Sequence, residues 1–146
     1  FKMSERRALE YNFLQKLREA FEGSLYSVVE SNTYEERKIP CIIVVAGESQ
    51  PLVDHPEAQD NFRSELNIIV MSSSDEPSPE EHMNVVDKVR SIVMNKANRR
   101  KTKVKFLYIY EIYYQNVMDM REERRFATSM NFEVQYNYNA NPSVSQ

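Results

Sequence analysis

The stretch "FLYIYEIYYQNVMDMREERRFATSMNFEVQYNY", residues 106–138, holds six of the chain's nine tyrosines: Tyr108, Tyr110, Tyr113, Tyr114, Tyr136 and Tyr138. So many tyrosines suit either a platform on which bases stack or a pair of strands, and alternation is what separates the two. A period of two puts Phe106, Tyr108, Tyr110, Ile112 and Tyr114 on one face, with Leu107, Ile109, Glu111 and Tyr113 on the other. Residues 125–138 alternate more cleanly, with Phe126, Met130, Phe132, Val134, Tyr136 and Tyr138 sharing a face. The expectation is a β-hairpin around 106–138 with a charged, projecting tip at 115–125, its aromatics serving a sheet core or a subunit boundary.

Upstream, the patterning supplies the rest of one domain spanning residues 1–146. In "SERRALEYNFLQKLREAF", Leu9, Phe13, Leu17, Ala20 and Phe21 recur at helical spacing after the N-cap candidate Ser4, and Gly23 is a natural stop. Residues 25–29, "LYSVV", read as a short strand or as an extension of that helix. "IPCIIVVAGE" is apolar on both faces, which predicts a buried strand central in a sheet, with Pro40 tolerated only at its start. Phe62, Leu66, Ile68 and Val70 then share one face of a further strand, against Arg63, Glu65 and Asn67. Ser78, Pro79 and Glu81 form a capping sequence for a second helix whose inward stripe is Val85, Val86, Val89, Ile92 and Val93. The predicted class is α+β: a mostly antiparallel sheet with two helices packed on one face. A frayed tail is expected over 139–146.

Composition narrows function. With 146 residues, net charge −3 and two glycines, Gly23 and Gly47, the chain contains neither a GxGxxG turn nor a Walker loop. The lone Cys41 lies in an apolar run and reads as a small buried hydrophobe rather than a nucleophile. No apolar run approaches the roughly 20 residues of a membrane span, and residues 1–11 lack the apolar core of a signal peptide, so no membrane association is expected.

Candidate chemistry is sparse. His55 lies near Asp54, Glu57 and Asp60, and His82 near Glu80 and Glu81, but neither has the companion spacing of a metal or catalytic motif. His55 reads as part of a solvated loop, His82 as part of a first helical turn whose acidic side chains complement the exposed amides, and Ser72, Ser73 and Ser74 as a polar loop. No catalytic residue, cofactor or metal site is expected. Glu111, the sole charge in "FLYIYEIYY", is open to three readings: catalysis, an interstrand or intersubunit ion pair, or ordinary exposure. The run "KANRRKTKVK", residues 96–105, has six Lys or Arg in ten positions. It suits phosphate contact if it joins an exposed tyrosine face in one patch, and otherwise a solvated helix end and loop.

The order of "FLQKLREAF", "IPCIIVVAGE", "FRSELNIIVMS", "SPEEHMNVVDKVRSIV" and the last long strand resembles the tail-terminator and tail-completion (head–tail joining) proteins of long-tailed bacteriophages. The resemblance covers nearly the whole chain. It implies a noncatalytic virion protein, a ring-forming subunit, commonly a hexamer, at the head-proximal end of the tail. Such a ring ends tube polymerisation and joins the tail to the neck. The implied partners are other copies of the chain and the tail-tube and neck or connector proteins, with genome DNA passing through the lumen without sequence-specific binding. The implied place is the virion tail, assembled in the host cytoplasm. Another neck component, or a nucleic-acid-binding module built on residues 96–105, is the alternative. In a ring, the basic 96–105 and acidic 75–81 runs are candidates to meet across subunits.

Overall fold

Ser4 opens the first helix as its N-cap, its hydroxyl accepting from the Arg7 amide at 3.2 Å. The helix, α1 (Glu5–Ala20), buries Ala8, Leu9, Phe13, Leu14 and Leu17, and the chain leaves it through Gly23 at φ 78°, a left-handed conformation natural to glycine. The computed structural model describes residues 3–30, 39–52, 60–73, 78–122 and 124–139, with Asn98 and Glu122 as backbone only. The following elements are β1 (Ser27–Glu30), β2 (Cys41–Pro51), β3 (Asn61–Ser73), α2 (Pro79–Met94), α3 (Lys96–Arg100), β4 (Leu107–Glu122) and β5 (Arg125–Tyr138). Ser78 caps α2 by accepting from the Glu81 amide, with Pro79 in the first turn, as the capping sequence predicts.

One five-stranded sheet runs in the order β1-β2-β3-β5-β4, parallel only at β1–β2. Alternation then sorts the side chains. Ile42, Val44 and Ala46 of β2, Leu66, Ile68 and Val70 of β3, and Met130, Phe132, Val134, Tyr136 and Tyr138 of β5 meet the apolar stripes of α1 and α2 in one core. The fold is α+β, with both long helices on one face. The expected apolar pattern of β2 on both faces holds too, since Cys41 and Ile43 on the other face are also buried, although β3 is the middle strand.

Four readings are corrected. The first strand covers 27–30 rather than 25–29, and Leu25 is left 81% exposed. Part of "KANRRKTKVK" folds as the short helix α3. Strict alternation fails in β4, where irregularities at Tyr110 and Gln115 each insert one residue and reset the phase. Leu107, Ile109, Ile112 and Tyr114 therefore point to the core, while Phe106, Tyr108 and Tyr110, assigned with Ile112 and Tyr114, are exposed. Finally, residues 115–122 are not a projecting tip but a continuation of β4. Strand β3 accompanies β5 as far as Ser73 opposite Arg125, so the β4–β5 turn stands level with the end of β3. Most of the tail expected to fray, and His55, lie outside the described residues.

Candidate functional site

Strand β4 is the long free edge of the sheet. Every residue from Gln115 to Arg121 is exposed, including the apolar Val117, Met118 and Met120, with Met118 at 62%. An edge strand of this length with apolar side chains on both faces is a template for pairing with another chain, because its outer N–H and C=O groups have no strand beside them among the described residues. Nothing along these seven residues blunts the edge with proline, and the turn beyond them carries Arg124 and Arg125, both exposed. The opposite edge, β1, is only four residues long, and the Arg18 guanidinium donates to its Val28 carbonyl at 3.1 Å. That contact shields the short edge, whereas on β4 the corresponding guanidinium contact, from Arg99, reaches the Tyr110 carbonyl and not residues 115–121.

The base of the β4 edge is tied into the molecule by a buried hydrogen-bonded chain. His82, 4% exposed, lies with Nδ1 2.7 Å from the Ser72 hydroxyl and Nε2 2.8 Å from the Thr128 hydroxyl. Thr128 in turn donates to the Asp119 carboxylate of β4 at 2.7 Å, and Ser72 pairs with the Tyr26 hydroxyl. These bonds fix the proton positions. Because Thr128 gives its proton to Asp119, it accepts from His82 Nε2–H; Nδ1 then accepts from Ser72, and Ser72 from Tyr26. Burial holds the His82 pKa below its ordinary 6.5, against a smaller upward pull from Asp119. Burial likewise raises the Tyr26 pKa, with the Ser72 hydrogen bond opposing.

The reading of His82 as part of α2's first turn therefore holds, although its ring is buried, and the reading of Ser72 and Ser73 as loop is overturned. The apolar floor beneath α2's first turn and the partners Ser72 and Thr128, 10 and 46 residues distant, withdraw the imidazole from water. Ser72 and Ser73 are the last residues of β3; Ser74 lies outside the described residues. The Ser72–His82 contact resembles a nucleophile and its base, but Ser72 is fully buried and offers no approach to a substrate. The hydrogen-bonded chain joins the turn after α1, β3, α2, β5 and β4.

Glu111 has a partner that strand pairing alone does not suggest. Arg99 of α3, 9% exposed, donates from Nη1 to Glu111 Oε2 at 3.1 Å and to the Tyr110 carbonyl at 3.4 Å, while Glu111 remains half exposed. The pair secures α3 to the inner half of β4. Lys103 is similarly engaged with Glu19 at 2.8 Å, so two of the six cations in 96–105 serve intramolecular contacts. Tyr108, Tyr110 and Tyr113 are exposed immediately after that run. Cys41 is buried, as its apolar run predicts.

Two concavities bear on function. One of about 510 Å³ lies on the face turned away from α1 and α2, where Glu65 stands directly opposite Glu133 and Arg63 reaches Glu133 at only 3.8 Å. The other, about 330 Å³, lies between the turn after α1 and the helix α2, lined by Phe21, Leu25, Tyr26 and Val85 with Glu81 and Lys88 on its α2 wall. Among the described residues, no helix is long and apolar enough to cross a membrane.

No protein-family model matches the chain, and no curated protein matches it. Its fold does recur: 30 solved chains match it. One of them, whose name carries no functional description, superposes with a TM-score of 0.59 at 10% identity, covering 94% of this chain and 99% of its own. That likeness extends to the fold alone.

Proposed function

We propose that the protein is a noncatalytic, self-assembling subunit of a phage tail, forming a ring at the head-proximal end that stops tube growth and joins tail to neck. The resemblance of its element order to tail-terminator and tail-completion proteins suggests the setting. The observation that carries the reading is the exposed β4 edge, whose outer residues 115–121 contribute apolar surface and no core. In a monomer such an edge is a liability; in a closed ring it is buried and has no end. Function on this reading is geometric, since neighbours close a channel wide enough for DNA and one rim meets the tube.

Light scattering coupled to size exclusion is expected to give a closed oligomer at high protein concentration or with tail tubes present. Electron microscopy of mixed samples is expected to show density at tube ends. A chain that stays monomeric and leaves tube ends bare contradicts the proposal.

A second reading has one specific observation in its favour. The basic run 96–105 leads directly into exposed Tyr108, Tyr110 and Tyr113, the combination of cations and aromatics that single-stranded nucleic acid requires. Filter binding at two salt concentrations tests it: retention that falls steeply with salt supports the nucleic-acid module, and equal, negligible retention of single and double strands dismisses it.

A further inference from the structure

Two apolar surfaces left outside the core lie at opposite edges of the sheet, toward the same end of it. Following the register across the strands, Val29 is level with Ile43, Ile69, Ser129 and Met118, and Ser27 with Cys41, Met71, Ala127 and Met120. The groove of about 330 Å³ opens beside the start of β1, next to Leu25, the most exposed large hydrophobic side chain among the described residues. Val117, Met118 and Met120 are exposed at the β4 edge. Four strand spacings of about 4.8 Å separate these two edges, roughly 19 Å, so they do not meet within one molecule.

Polarity matches as well. With β1 parallel to β2 and every later pair antiparallel, β4 runs opposite to β1. A second copy placed alongside in the same orientation therefore brings its β4 antiparallel to β1, the pairing sense with perpendicular hydrogen bonds. Charges correspond too: the groove's α2 wall carries Glu81 and Lys88, and the β4 edge carries Asp119 and Arg121. The chain Tyr26–Ser72–His82–Thr128–Asp119 begins at the groove and ends at the β4 edge, fixing one against the other. A fixed relation between donor and acceptor surfaces is what a head-to-tail contact needs if its rotation is to close.

We infer that the groove beside β1 is the socket for the β4 edge of a second copy, residues 115–121, in a heterologous head-to-tail contact that places the helices of all subunits on one side of a continuing sheet. This rests on the self-assembly reading above and specifies its interface. Because Arg18 occupies the Val28 carbonyl, side chains entering the groove lead the contact, with Leu25 at its centre and Val117, Asp119 and Arg121, which share the helix-bearing face of the sheet, entering from the edge.

The test uses two surface variants of the full chain, Leu25→Arg in the socket and Val117→Asp/Met118→Asp in the edge, compared by sedimentation velocity. Each alone is expected to be monomeric with a wild-type circular dichroism spectrum and melting profile. Mixed at equal concentration they are expected to give a dimer and nothing larger, since one intact edge meets one intact socket. Combining Glu81→Arg with Arg121→Glu in one chain is expected to restore association that either change alone weakens at least tenfold. Wild-type assembly that survives Leu25→Arg overturns the socket and leaves the ring reading standing, as does loss through the edge variant alone, which indicates β4 pairing with β4. A wild-type chain that is monomeric at every concentration overturns both.

Discussion

Across the β4–β5 ladder, residues of the same aromatic and aliphatic character face each other in very different surroundings. On β5, Phe126, Met130, Phe132, Val134, Tyr136 and Tyr138 are all buried; on β4, Tyr108, Tyr110, Tyr113, Val117, Met118 and Met120 are all exposed. Both strands were written in nearly the same alphabet. What differs is position: β5 has a strand on each side and α2 above it, whereas β4 has β5 on one side and, beyond Tyr114, little above it. Aromatic content marks a strand, then, and neighbours decide whether that strand is core or interface.

The sharpest way to break the comparison is to truncate one residue from each leg. Phe132→Ala is expected to cost about 3–5 kcal/mol in urea denaturation, because a fully buried ring leaves a cavity. Tyr113→Ala, one position away across the ladder, is expected to stay within about 0.5 kcal/mol. Equal losses at the two sites would remove the distinction between core leg and edge leg.

The link between the legs comes next. His82→Leu strands the Ser72 and Thr128 hydroxyls in a buried site and is expected to destabilise by about 2 kcal/mol. It also carries a pH signature. His82 is neutral in the fold with a pKa below its ordinary 6.5, so the unfolded chain binds the extra proton first as pH falls. Its stabilisation is full above about pH 6.5 and is lost as pH drops below it. Denaturation midpoints of wild type and His82→Leu are expected to converge towards acid; parallel curves would count against the neutral buried imidazole.

Smaller effects probe the inner half of β4. Glu111→Ala leaves the buried Arg99 guanidinium without its carboxylate and is expected to cost about 1–2 kcal/mol. Arg99→Met removes a charge whose Nε has no partner among the described residues while leaving a half-exposed Glu111, and is expected to cost less than Glu111→Ala. The reverse order, measured by thermal melting, would place the burden of the pair on Glu111. Smallest is Phe106→Gly: Phe106 sits at φ 66°, in the left-handed region that a bulky side chain disfavours. Relief of that strain is expected to offset the greater freedom of glycine in the unfolded chain, leaving the melting temperature within a few degrees of wild type.

Legibility in the sequence followed locality. The cap at Ser78, the stripe of α2 and the alternation of β5 each depend on residues within a turn or a pleat, and all are where the pattern puts them. The faces of β4 were not legible, because insertions at Tyr110 and Gln115 reset a period that no local residue announces. His82 was unreadable for a different reason: its partners are assembled by the sheet, and only its place four residues after a strong cap was visible. Glu111 drew notice as a lone charge, but its partner Arg99 sat inside a basic run that reads as solvated. The concave groove beside Leu25 combines residues of α2 with those of the turn after α1, so no single stretch displays it.

The central claim is that the outer half of β4 belongs to an assembly rather than to the core of one subunit. Amide hydrogen exchange of the wild-type chain across a wide concentration range tests it directly. The outward-facing amides of residues 115–121 are expected to exchange rapidly when dilute and to gain at least tenfold protection when concentrated, while β5 amides remain protected throughout. Exchange at 115–121 that is independent of concentration, or protection that grows elsewhere and not there, contradicts the account.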